Sequence, residues 1–131
     1  MKLYESRAPN AWRVKAFLAE KGIDIPRQTI SVVEGDTRKP DFLAINSLGE
    51  VPVLELDDGT RITESIAICR YLESLHPTPA LFGTTPLAQA QVEMWNRRME
   101  QQIFGYCAQF GLHMIPFFAD KIEQMPEYAE T

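Results

Sequence analysis

The chain has 131 residues, 45% of them hydrophobic and 24% charged, with a formal net charge of -5. Such a length suits one ordinary domain, or one compact domain with a piece of another, and the composition excludes a disordered or fibrous chain. The acidic balance disfavours a nucleic-acid or anionic-membrane surface, which needs a concentrated basic stripe.

Lys2-Leu3-Tyr4-Glu5 predicts a first strand, and Ser6-Arg7-Ala8-Pro9-Asn10 a polar loop after it. Asn10 is expected to cap a helix carrying Val14, Phe17, Leu18 and Ile23, with Gly22 just past its end. Gln28 to Val33 alternates and is β-branched, which predicts a second strand. Glu34 to Pro40 reads as an exposed loop, and Pro40 opens a short helical turn through Phe42, Leu43 and Ile45. Asn46-Ser47-Leu48-Gly49-Glu50 leads to a strand over Val51 to Leu56, a tight turn at Asp57-Asp58-Gly59 and a return strand from Thr60 to Thr63. Thr63 or Glu64 then starts a helix whose apolar face is Ile68, Tyr71, Leu72 and Leu75. The order is βαβ then ββα, with the first two strands parallel by the crossover rule and the hairpin antiparallel.

His76 to Pro86 is rich in proline and breaks the pattern. Leu87 to Leu112 follows as a single long helix with Val92, Trp95, Met99, Ile103 and Tyr106 on one stripe. Pro116 ends it, and Met125-Pro126-Glu127 opens another helix. The expected organisation is an α/β domain over 1–78, a linker over 79–85, and an all-helical region over 86–131. The segment before Asn10 has no apolar stretch of a secretory signal, and no run of apolar residues is long enough to cross a membrane. Cys69 and Cys107 have neither zinc-ligand nor disulfide-framework spacing, so no metal is expected. Both are read as buried packing residues in a reducing, cytoplasmic setting. His76 and His113 carry no partner that suggests catalysis.

Four segments in order resemble the cytosolic glutathione transferases, in their bacterial Pro-Asn variant. "RVKAFLAEKGI" is similar to the first helix of the family's thioredoxin-like N-terminal domain, "INSLGEVPVLELDDG" to its core segment and "ITESIAICRYLE" to its third helix. "QAQVEMWNRRME" is similar to the opening of the all-helical second domain, which then looks truncated here. The resemblance implies a thioredoxin-like fold and glutathione as co-substrate, with no other cofactor. It implies an electrophilic, mostly apolar second substrate, with glutathione-dependent peroxidase or disulfide reductase activity as a related form. A transferase-like binding module without catalysis is the alternative. The full-length protein is expected to be a homodimer, with the remaining helices and the partner covering the stripe from Val92 to Tyr106.

The resemblance also assigns roles. A cis bond at Val51-Pro52, available cheaply only before proline, would let the Val51 backbone pair with the cysteinyl residue of glutathione; a trans proline at a strand start is the plain alternative. Glu64 and Ser65, at a helix N-terminus that favours anions, would take the γ-glutamyl ammonium and carboxylate, and can equally serve as a helix cap. Arg38 or Lys39 would meet the glycyl carboxylate, or stand in solvent. Ala8 occupies the family's usual serine position, so the thiolate is assigned to the Asn10 amide, then to Ser6, and then to Tyr4, which is expected to point into or along the strand.

Overall fold

Alternation along β1 (Lys2–Glu5) puts Leu3 on one face of a sheet and Tyr4 on the other. β2 (Arg27–Thr29) pairs with β1 in parallel, and β3 (Val53–Glu55) pairs with it antiparallel, Leu3 opposite Leu54 and Tyr4 opposite Val53. β4 (Arg61–Ile62) returns antiparallel on β3, giving the order β2-β1-β3-β4. This computed structural model describes residues 1–119 and 122–129. They fall into two compact units, Met1–Leu81 and Phe82–Thr131.

In the first unit each sheet face has its own cover. α1 (Pro9–Lys21) and α3 (Ser65–Leu75) pack on each other, and α3 packs on β3. Leu3, Val14, Leu18, Leu54, Ile68 and Leu72 have no exposed surface, and each such side chain contributes about 1.5–3 kcal/mol by leaving water. On the other face Tyr4, Ile30, Val51 and Val53 cluster with Phe42 of α2 (Pro40–Leu43), and the Tyr4 ring meets Phe42 edge-on at 6.3 Å. The thioredoxin-like α/β arrangement is the one expected.

Several boundaries differ from the sequence reading. α1 is capped by Ala8, and Asn10 lies inside its first turn, because Pro9, whose fixed φ suits the first helical position, takes that place. Gly22 ends the helix in the left-handed region, as expected. β2 stops at Thr29, although the Ile30 N–H still reaches the Glu5 carbonyl at 2.8 Å. Asp36 then draws the chain away: its carboxylate accepts the Ser31 N–H at 3.1 Å and its own N–H bonds the Ser31 carbonyl. Val32 and Val33 end up exposed, and a 3-10 turn at Asp36–Arg38 replaces part of the loop. β3 begins only at Val53. In α3 the buried positions are Ser65, Ile68, Cys69 and Leu72. Leu75 is exposed, so the inward face lies about one residue from the predicted phase.

The second unit is helical. Thr85 caps α4 (Pro86–Met99), its hydroxyl accepting the Ala88 N–H. The expected single helix is interrupted by a π-helical turn, Glu100–Phe104, before α5 (Gly105–Met114), and the Gly105 N–H bonds back to the Glu100 carbonyl. A side chain at position 105 would crowd that carbonyl at 3.2 Å, which glycine avoids. A 3-10 turn, Pro116–Phe118, and α6 (Pro126–Ala129) follow. His113 is buried and its Nδ1 accepts the Met125 N–H at 3.2 Å, while the Gln124 amide donates to the Leu112 and Ile115 carbonyls. On the stripe, Trp95, Met99, Ile103 and Tyr106 are exposed. Cys107 is also exposed, against the expectation that it packs inside.

Candidate functional site

The segment before β3 is held from both sides. Asn46 is buried, donates to the Glu50 carbonyl at 2.8 Å and accepts the Leu48 N–H at 3.2 Å, so one side chain closes the loop 46–50. Arg38 donates to the Leu48 carbonyl at 3.1 Å. Gly49, at φ 64, lies so close that an added Cβ would stand 2.7 Å from the Arg38 guanidinium and 2.8 Å from the Thr37 carbonyl oxygen.

That loop delivers Val51 and Pro52 with the bond between them cis, as expected; Thr78-Pro79 is cis as well. Val51 is only 8% exposed, yet neither its N–H nor its C=O bonds another described residue, since the ladder starts at Val53. Buried backbone groups are normally paired, so these two are suited to an extended peptide laid beside them. They open on a shallow cleft lined by Asn10, Asn46, Glu50, Val51, Pro52, Thr63, Glu64 and Ser65.

The opposite wall is the N-terminus of α3. Glu64 precedes it at φ 63 and ψ 116, the one non-glycine residue at positive φ among those described. Such backbone strain persists where the surroundings impose it, often at ligand sites. Ser65 is buried, and its Oγ accepts a hydrogen bond from the Arg13 guanidinium at 2.6 Å. The free N–H groups of the first turn favour an anion here.

Asn10 reaches the cleft from the first turn of α1. Ser6 does not: it is buried, its Oγ accepts the Ala8 N–H at 2.9 Å, and its carbonyl takes a hydrogen bond from Lys15, which also pairs with Glu5 at 3.1 Å. Tyr4 is buried on the far face with its hydroxyl 3.4 Å from Glu55. Arg38 and Lys39 are not among the lining residues either. Lys39 pairs with Asp36 at 2.5 Å, which holds the Asp36 carboxyl below its usual range and raises the ammonium.

The structure thus brings together Asn10, Val51, Pro52, Glu64 and Ser65, and leaves Ser6, Arg38 and Lys39 outside. Asn46 and Arg13 went unnoticed in the sequence. Asn46 was legible, since Asn-Ser-Leu-Gly is turn chemistry. Arg13, mid-helix and 52 positions from Ser65, had no signal.

No thiol competes for the site. Cys69 is buried in α3, and burial pushes its thiol up to about 12 against a smaller lowering by Arg13. No cluster of metal-ligating side chains occurs among the described residues.

Comparison with known proteins agrees with this architecture. Residues 8–75 match the family described as "Glutathione S-transferase, N-terminal domain". Glutathione S-transferase 2 of Saccharomyces cerevisiae is 39% identical over 126 residues, 94% of this chain and 54% of that protein. The crystal structure of Gtt2 from the same yeast superposes with a TM-score of 0.90 at 36% identity, covering 99% of this chain and 65% of that one. A glutathione S-transferase of class Gtt2 from Vibrio parahaemolyticus gives 0.81 at 41% identity, over 99% and 61%. The chain spans about half the length of the yeast relative. With its N-terminal region matched to that family over more than half its length, the chain belongs to the glutathione S-transferases.

Proposed function

We propose that this chain supplies the glutathione site of a transferase that adds the glutathione thiolate to an electrophilic, mostly apolar small molecule. The observation that carries the reading is Val51: a buried residue with unpaired backbone N–H and C=O, facing a cleft whose other wall is a helix N-terminus. Glutathione offers the complementary groups, a peptide backbone at its cysteine and an α-carboxylate on its γ-glutamyl residue. In this reading Val51 pairs antiparallel with the cysteinyl residue, Ser65 donates to the carboxylate, and Glu64 accepts from the ammonium.

The sulfur then lies toward the start of α1. An unperturbed thiol with pKa near 8.5 is only a few per cent ionised at neutral pH, so donors that favour the thiolate raise the reactive fraction. The Asn10 amide, which lines the cleft, is the assigned donor, supported by the N-terminus of α1. Ser6 is the weaker candidate because its buried hydroxyl is not among the groups that line the cleft. Arg38 or Lys39 is the assigned partner of the glycyl carboxylate; each is engaged within the chain, Arg38 with the Leu48 carbonyl and Lys39 with the Asp36 carboxylate. Peroxidase or disulfide reductase chemistry would use the same thiolate. A cytoplasmic homodimer completes the reading.

Ser65→Ala should weaken glutathione binding by about 1.5–3 kcal/mol, the scale of a hydrogen bond to a charged group, while the far-ultraviolet circular dichroism stays unchanged. Parent-like affinity by calorimetry would reject the assignment of the α3 N-terminus. The presence of Ala8 where the family usually carries a hydroxyl favours a second reading, a glutathione-binding module without catalysis. Turnover of a chromogenic electrophile separates the two.

A further inference from the structure

Arg13 approaches Ser65 from beneath the site. It is half-buried in α1, packed against α3, and its Nη1 lies 2.6 Å from Ser65 Oγ. A guanidinium has donors only, whereas a hydroxyl has one proton and two lone pairs. The contact therefore occupies a lone pair of Ser65 and forbids its proton from pointing toward Arg13. No described protein group accepts that proton, although Ser65 is 4% exposed and lines the cleft. The direction left to it is the cleft itself. A donor-only partner thus fixes the polarity of the serine, and its positive charge adds to that of the helix N-terminus.

We propose that Arg13 is a positioning residue that presents the Ser65 hydroxyl as an outward donor, so that this end of the cleft selects a carboxylate over a neutral group. The inference rests on the glutathione reading given above and adds the residue that sets the site's preference. A partner able to accept, such as glutamine, would capture the serine proton and abolish that preference. Lysine, again a donor only, would keep it.

The test is calorimetric titration of the chain with glutathione and with an analogue lacking the γ-glutamyl α-carboxylate. Arg13→Gln and Arg13→Met are each expected to weaken glutathione about tenfold, the lower end for a charge-assisted hydrogen bond, and to leave the analogue's affinity at the parent value. Arg13→Lys should retain most of the glutathione affinity. Adding Ser65→Ala to Arg13→Gln should cost no more than Ser65→Ala alone, because the arginine acts through the serine. Thermal unfolding identifies any variant that fails to fold, and either neutral variant suffices. If both fail to fold, a purely structural Arg13 replaces the proposal. Arg13→Gln binding like Arg13→Lys, an equal loss for the analogue, or full additivity with Ser65→Ala would overturn it. If Ser65→Ala itself binds glutathione normally, the glutathione reading fails first; if Ser65→Ala loses affinity and Arg13→Gln does not, only the role of Arg13 falls.

Discussion

The two ends of α3 are built on opposite plans. At its C-terminus the Lys21 side chain has no exposed surface, donates to the carbonyls of His76 at 2.8 Å and of Pro79, and pairs with Glu73, which also accepts the Leu81 N–H. At its N-terminus Glu64 is exposed at positive φ, caps nothing with its side chain, and leaves first-turn N–H groups open to the cleft. One end is tied down by the chain's own groups and the other is left open to the cleft. A helix can keep a strained, unsatisfied terminus when its opposite end and its buried face hold it in place. Here Ile68, Cys69 and Leu72 supply that face.

The strongest way to break this contrast is at the closed end. Lys21→Met should lower the unfolding free energy by about 3–5 kcal/mol, as when one member of a buried ion pair is removed, read by urea titration with circular dichroism. Lys21→Met with Glu73→Leu should recover part of the loss. A parent-like midpoint for the single variant would mean that the clamp contributes nothing.

At the open side, Asn10→Ala should reduce turnover by up to about a hundredfold, the loss expected for one donor to a developing anion, with a smaller effect on glutathione affinity. An ultraviolet titration of the bound thiol decides the cause. If its apparent pKa stays where the parent has it, the amide does not hold the thiolate.

Glu64→Gly is a milder probe. Glycine adopts positive φ freely, so the change should stabilise the chain by roughly 1 kcal/mol while weakening glutathione through loss of the carboxylate. Stability unchanged or lowered would show that the Glu64 backbone is not under strain.

The smallest effect is expected at Cys69, one turn inside the open end. With its thiol pushed up to about 12 by burial, it should resist alkylation at pH 8 while the exposed Cys107 reacts. Mass spectrometry of the native chain should find one adduct. Comparable labelling of both would reveal that the start of α3 opens often.

What could be read from the sequence follows from how local each signal is. Gly22, the Asp57-Asp58-Gly59 turn and the start of α3 depend on residues within a few positions, and they were legible. The thioredoxin-like order of elements was legible too, because four segments resembled one family in sequence order. The retreat of β2 was not, since Asp36 competes with the sheet for Ser31 from five residues away. Asn10 was misread as a cap because Pro9 shifts the helix start. The π-helical turn leaves no mark beyond Gly105. For the site, Val51, Pro52, Glu64 and Ser65 stood out, whereas the Arg13–Ser65 contact joins two helices that only tertiary packing brings together.

Gly49 carries a consequence of a different kind, a genetic one. Nearly every missense change in a glycine codon introduces a side chain, and at this position any side chain meets positive φ, the Arg38 guanidinium and the Thr37 carbonyl at once. The displaced loop runs directly into Val51, two residues on. Position 49 is therefore a place where inheritance of one altered base can displace the loop that presents the Val51 backbone.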